Sequence, residues 1–195
     1  MALLLGLLWP LQRLNQALLS AGRWFAIICL AVMVMAILIQ IFYRYVLGNA
    51  LPWPDEAARF FMLWMTGLIA PLGYRHGGFV AIDMAVRMLS TRVAAFVTLV
   101  LLSIAMMVLI RAAQIGWAEV TGFGGRFATA SLYVPTSLTF ETWLRVPRSW
   151  MMGSILVGFL LLNLVNIELM LRSLITLLGG KRRLEPLPGE GVGAD

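Results

Sequence analysis

The sequence predicts an all-α integral membrane protein with four transmembrane helices and an amphipathic interfacial helix at its N-terminus. Of the 195 residues, 61% are hydrophobic and 12% are charged, and the mean hydropathy is +0.90. Soluble domains are about 45–50% apolar and about 25% charged. Most of the charged residues stand at the ends of long apolar runs. This pattern is typical of helices that cross a hydrocarbon core, and it argues against a basic nucleic-acid-binding surface despite the net charge of +6.

The N-terminal segment, residues 1–22, predicts the amphipathic helix. After Pro10, Leu11, Leu14 and Leu18 recur at helical spacing with polar residues between them. Two placements fit this pattern: a helix lying in the membrane interface, or a plain helical lead-in packed on the next span. A signal peptide is disfavoured because no basic residue precedes the leucine run and no A-x-A site follows it.

Four apolar segments predict the spans, at about 24–43, 55–75, 93–110 and 149–167. A helix needs about 20 residues to cross a core of about 30 Å, and the first segment has 20 uncharged residues between Arg23 and Arg44. The second starts after Pro52, and its charge-free part, Phe60–Tyr74, is shorter than a full crossing. Arg59 is therefore expected near the interface or against a partner.

The remaining segments predict connections within one membrane domain, residues 1–183. A short surface helix is expected over residues 79–89. The long connection 111–148 contains TGFGGR and VPTS, which are typical of loops, and its aromatic residues indicate that part of it rests on the membrane. Residues 184–195 combine proline, glycine and charge without an apolar period, which predicts a disordered cytoplasmic tail.

The distribution of basic residues predicts the orientation. With four spans both termini lie on one side, which carries nine basic residues, against six on the other. The positive-inside rule then places both termini in the cytoplasm.

The residue types needed for catalysis or metal binding are scarce. The chain has one histidine, His76, and one cysteine, Cys29. A haem with two axial histidines, a multi-histidine metal site and an intrachain disulfide are therefore excluded. We expect no enzyme activity and no cofactor, and His76 is interpreted as a loop residue at the cytoplasmic edge.

Polar residues at the span edges are the candidates for contacts. Asp55 and Glu56 stand four and three residues before Arg59, a spacing that predicts a local ion pair. Such a cluster is either self-satisfied or a polar contact to another membrane subunit, and the sequence leaves both open. A similar contact is expected between Gln40 and Arg44.

The fourth span carries two asparagines and a charged pair. Asn163 and Asn166 are expected to form hydrogen bonds across helix interfaces, an interpretation favoured over a substrate contact. Glu168 and Arg172 predict an ion pair one helical turn apart at the cytoplasmic end.

The order of motifs resembles the small membrane subunit, DctQ-like, of tripartite ATP-independent periplasmic (TRAP) transporters. RYVLG follows span one, then come WPDEAARFFMLW and RHGGFVAID, and VPRSW precedes the last span. The resemblance covers roughly residues 24–172. Two features depart from it: Phe79 stands where the family usually has histidine, and the 111–148 connection is longer than expected.

The resemblance implies a small permease subunit that scaffolds a large membrane subunit in the bacterial inner membrane. Together they would take up an organic acid, driven by sodium and delivered by a periplasmic solute-binding protein. Membrane lipids are the other expected partners. The candidates for the subunit interface are Trp53, Asp55, Glu56, Arg59, Trp64, Arg75, Gly77, Gly78, Asp83 and Asn163.

Two other classes of function remain as alternatives. One is a membrane-anchor subunit of a respiratory complex, against which the single histidine argues. The other is a stand-alone small transporter or channel, against which the lack of ionisable residues at mid-span argues.

Overall fold

The computed structural model describes residues 2–76, 90–135 and 143–180. These ranges contain four long helices and one β-hairpin. The helices are α1 (Ala2–Tyr45), α2 (Trp53–Arg75), α3 (Thr91–Thr121) and α4 (Arg148–Leu177), and a 3₁₀ turn (Phe123–Arg126) precedes strands β1 (Ala128–Pro135) and β2 (Trp143–Pro147). The predicted surface helix at 79–89, the tail at 184–195 and the candidates Gly77, Gly78 and Asp83 lie outside the described residues.

Helix α1 is a single helix of 44 residues. The predicted N-terminal helix and first span are therefore continuous, with no break at Pro10 or Arg23. Buried residues follow one stripe along it, at Leu8, Asn15, Leu19, Ala26, Cys29 and Ala36. Asn15 of the lead-in bonds to Glu168 of α4, so the lead-in packs on the bundle, which favours the plain lead-in over a separate interfacial helix.

Helix α2 begins where its sequence predicts a start. Pro54 is the second residue of the helix, a position that tolerates proline. Asp55 and Glu56 lie in the first turn, where carboxylates suit the helix dipole. The helix ends at Arg75, and Pro71 is accommodated within it.

Helices α3 and α4 continue beyond the predicted spans. α3 runs on from the predicted span 93–110 to Thr121, where Gly122 caps it. α4 runs on from the predicted span 149–167 for ten more residues to Leu177. A charged side chain does not break a helix, so charge marks a change of environment rather than a helix end.

The predicted connection 111–148 contains a β-hairpin, which the all-α prediction did not include. Strands β1 and β2 pair antiparallel, with Tyr133 opposite Arg145 and Val134 opposite Leu144, and an irregularity separates Ala128 from Tyr133. The strands ATASLYVP and WLRVP contain the β-branched and aromatic residues that favour strands. Their brevity hides them within a sequence dominated by apolar helices.

The helices pack in a chain of neighbours. α1 lies against α2, α2 against α4, and α4 against α3, while α3 contacts chiefly α4 and the turn that follows. α1, α3 and α4 are long and apolar enough to cross a membrane. The protein is therefore a multi-pass helical membrane protein, and α2 is the shortest of its four described helices.

Candidate subunit interface and buried polar contacts

The start of α2 is tied to the β-hairpin through Glu56. Its carboxylate accepts hydrogen bonds from the backbone N–H groups of Ala130, at 2.9 Å, and Ser131, at 2.6 Å. The Ser131 hydroxyl lies 2.6 Å from the same carboxylate and 2.9 Å from the carbonyl oxygen of Pro52. Because hydrogen bonds to a carboxylate are stronger than neutral ones, this contact fixes β1 on α2.

The expected ion pair of Arg59 with Asp55 and Glu56 is wrong. Glu56 bonds to the hairpin, which the sequence interpretation missed, and Arg59 is exposed. Asp55 lies 3.5 Å from Nε2 of Gln40 on α1, so the expected contact of Gln40 with Arg44 is also replaced. Between described residues, the ion pairs are those of Glu168.

Trp53 and Trp64 lie in different surroundings. Trp53 is partly exposed and lines an open cavity of about 510 Å³ together with Ser131, Tyr133 and Trp143 of the hairpin region. Trp64 is half-buried, and its ring centroid lies 6.2 Å from that of Phe25 on α1. The indole Nε1 of Trp64 is buried without a hydrogen-bond partner among the described residues.

A buried charged cluster joins α1, α2 and α4 at the C-terminal end of α2. Glu168 of α4 is 0% exposed. Its carboxylate accepts bonds from Arg75 Nη2 at 2.9 Å, Arg75 Nε at 3.1 Å, Asn15 Nδ2 at 2.6 Å and Arg172 Nε at 3.3 Å. The predicted Glu168–Arg172 pair is confirmed. Four donors on one carboxylate meet the condition under which a buried charge is tolerated.

Arg75 was a subunit-interface candidate, and its guanidinium is directed into its own chain. Sequence reasoning missed this cluster because Asn15 and Glu168 are separated by 153 residues. The one available signal was Glu168 at the end of the last apolar run, because a carboxylate in such surroundings needs a partner.

The asparagines of α4 form the predicted bonds across helix interfaces. Asn163 Nδ2 donates to the carbonyl oxygen of Leu109 at 3.1 Å, and Asn166 Nδ2 donates to that of Leu102 at 3.0 Å. The Tyr74 hydroxyl also donates to Asn166 Oδ1 at 2.6 Å. Both asparagines therefore hold α3 against α4, which confirms the packing interpretation.

Helices α2 and α4 cross through two glycines. A methyl group placed on Gly158 would lie 2.9 Å from the carbonyl oxygen of Gly67 and 3.0 Å from its Cα. One placed on Gly67 would overlap the Ser154 carbonyl group. This close approach is typical of membrane helix pairs, which pack through small residues.

Among the described residues, no group of three histidine, cysteine or acidic side chains could hold a metal ion. The helices form a bundle whose buried polar side chains mostly bond to one another. The chain thus belongs to the class of multi-pass membrane proteins.

The family follows from comparison of the sequence. The family model for the DctQ component of tripartite ATP-independent periplasmic transporters matches residues 33–176. The match spans well over half of the chain, which therefore belongs to this family of transporter components. The resemblance seen in the motifs is confirmed. No curated protein and no solved structure shows a significant match to the chain.

Proposed function

We propose that the chain is the small permease subunit that scaffolds the large membrane subunit of a TRAP transporter. In this role it supports sodium-driven uptake of an organic acid that a periplasmic solute-binding protein delivers. The observation that carries the proposal is the buried Glu168 cluster within a DctQ-family bundle. Its charges bond to one another, so this part of the bundle suits a rigid brace better than a path for solutes.

A four-span topology is part of this proposal. Gly22 of α1 lies against Leu68 of α2, and Gln40 lies against Asp55, so α2 runs antiparallel along α1. Its 23 residues extend about 34 Å at about 1.5 Å per residue, enough for a core of about 30 Å. Four crossings leave both termini on one side, and the excess of basic residues there favours the cytoplasm of a bacterial inner membrane.

The candidates at the start of α2 suit contact with a second subunit. Trp53, Asp55 and Arg59 are exposed at the hairpin end of the bundle. Glu56 is engaged with β1, so changing it perturbs this chain itself. The matched test therefore replaces Asp55 and Arg59 together by alanine and leaves Glu56 in place.

The test is co-purification of a tagged chain in mild detergent, followed by mass spectrometry. We expect a large multi-span subunit with the wild-type chain and less of it with the Asp55→Ala/Arg59→Ala variant. Reconstituted uptake should need both membrane subunits, the binding protein and a sodium gradient. Solute flux through this chain alone, or purification without any large subunit, would contradict the proposed function.

A further inference from the structure

The register between α3 and α4 places Arg111 beside the middle of α4. Leu109 accepts a bond from Asn163, and Gly116 packs on Leu156, where an added methyl group would lie 3.4 Å from the Leu156 Cα. Arg111 lies between these two contacts. It is therefore level with the centre of the charge-free run 149–167 of α4.

The glycine crossing adds the run of α2 to this estimate of mid-height. Gly158 lies at the centre of the run 149–167, and Gly67 lies at the centre of the charge-free run Phe60–Tyr74 of α2. These two glycines are in contact. Arg111 is level with this crossing, because the contacts of Leu109 and Gly116 lie on either side of Gly158.

No placement of a membrane about 30 Å thick keeps Arg111 out of it. A membrane lying wholly on the hairpin side of Arg111 would leave α3 only residues 112–121, about 15 Å of helix. A membrane lying wholly on the other side would put the run 24–43 of α1 in water. That run exposes large apolar side chains throughout, including Ile28, Met35 and Leu38.

Arg111 lies on the outer face of the least covered helix. Only 6% of the most apolar stretch of α3 is buried, against 33% for that of α4. Arg111 is exposed, and its contact with Gln114 Oε1 is 3.5 Å long, at the limit for a hydrogen bond. The exposed residues around them are apolar: Ile104, Met107, Val108 and Ile115.

We propose that Arg111 and Gln114 bind a carboxylate on a transmembrane helix of the partner subunit. A guanidinium facing hydrocarbon at mid-depth is costly and is normally paired. Lipid phosphates lie about 15 Å away at either surface, beyond the reach of a side chain from this height. A carboxylate matches the planar guanidinium with paired hydrogen bonds.

The identification of the partner as the large subunit rests on the proposed function, whereas the chemistry of the contact does not. Arg23 has a related position, because Gly22 contacts Leu68 next to Gly67. Each arginine stands at the edge of a charge-free run, Arg23 at that of α1 and Arg111 at that of α3, but α3 is the less covered helix, with 6% of its most apolar stretch buried against 22% for α1. Arg111 is therefore the sharper test.

The experiment measures the partner retained by a tagged chain in lipid nanodiscs with Arg111→Leu, Arg111→Glu and Arg111→Lys. We expect at least a tenfold fall for the leucine and glutamate variants, and a smaller fall for lysine, which keeps the charge. Arg126→Leu is the matched control, since Arg126 is exposed in the turn at the hairpin end of the bundle. Thermal unfolding of the isolated chains checks that every variant folds.

The outcomes separate this inference from the proposed function. Equal partner retention by Arg111→Leu, Arg111→Glu and wild type would overturn the inference and leave the function standing. Loss of bound anionic lipid instead of protein would also overturn it. If the wild type retains a membrane protein that is not a large transporter subunit, the function fails, yet an Arg111-dependent yield of that protein still supports the contact.

Discussion

Replacing Arg75 with methionine should strongly destabilise the isolated chain. The change removes the two hydrogen bonds from Arg75 to Glu168, at 2.9 and 3.1 Å. Glu168 thereby loses two of its four hydrogen bonds and one of its two cationic partners. Removing one partner of a buried ion pair costs about 3–5 kcal/mol. Asn15 and Arg172 still bond to the carboxylate, so we expect the lower end of that range, about 3 kcal/mol.

The assay is thermal unfolding of the purified chain in detergent. For a chain of this size, about 3 kcal/mol corresponds to a fall in Tm of about 6–12 °C. Arg59→Met is the matched control, because it makes the same replacement on the same helix at an exposed arginine. Equal Tm values for the two variants would refute the view that the Glu168 cluster holds α1, α2 and α4 together.

Three further predictions concern the other contacts. Glu56→Ala should lower the free energy of unfolding by about 1–3 kcal/mol and speed hydrogen exchange in β1 more than in the helices. An equal increase in exchange throughout the chain would contradict the attachment of β1 to α2 by Glu56. Gly158→Ala should lower the Tm, because overpacking costs about 1–3 kcal/mol, whereas Gly153→Ala, where an added methyl meets nothing within 4 Å, should not. Asn166→Leu should lower the free energy of unfolding by about 1 kcal/mol. A double-mutant cycle with Tyr74→Phe should show coupling between the two residues, and strict additivity would argue against their hydrogen bond.

The sequence predicted the helices well where composition alone decides them. The apolar runs, the proline start of α2 and the asparagine bonds of α4 all follow from local chemistry. The ends of α3 and α4 did not, because Arg111 and Glu168 were taken as membrane boundaries. Both are compatible with a continuing helix, and their surroundings depend on which helix lies beside them.

The candidate interface shows the same division. The acids at the start of α2 were expected to pair with Arg59 or to contact another membrane subunit, and neither alternative included the hairpin that Glu56 binds. The partner of Glu56 was misassigned because it lies 75 residues away in a hairpin of short strands. Likewise, Arg75 was assigned to the subunit interface, because its carboxylate partner, Glu168, lies 93 residues away in the sequence. Contacts across such distances follow from the packing order of the helices, which no local spacing encodes.

The attachment of the hairpin limits how this end of the molecule can move. β2 ends at Pro147 and α4 begins at Arg148, so no linker intervenes on that side, while Glu56 anchors β1 to the neighbouring helix. Through these two attachments the described strands, 128–135 and 143–147, are joined to both α2 and α4. We therefore expect a protein bound to these strands to follow the orientation of the two helices.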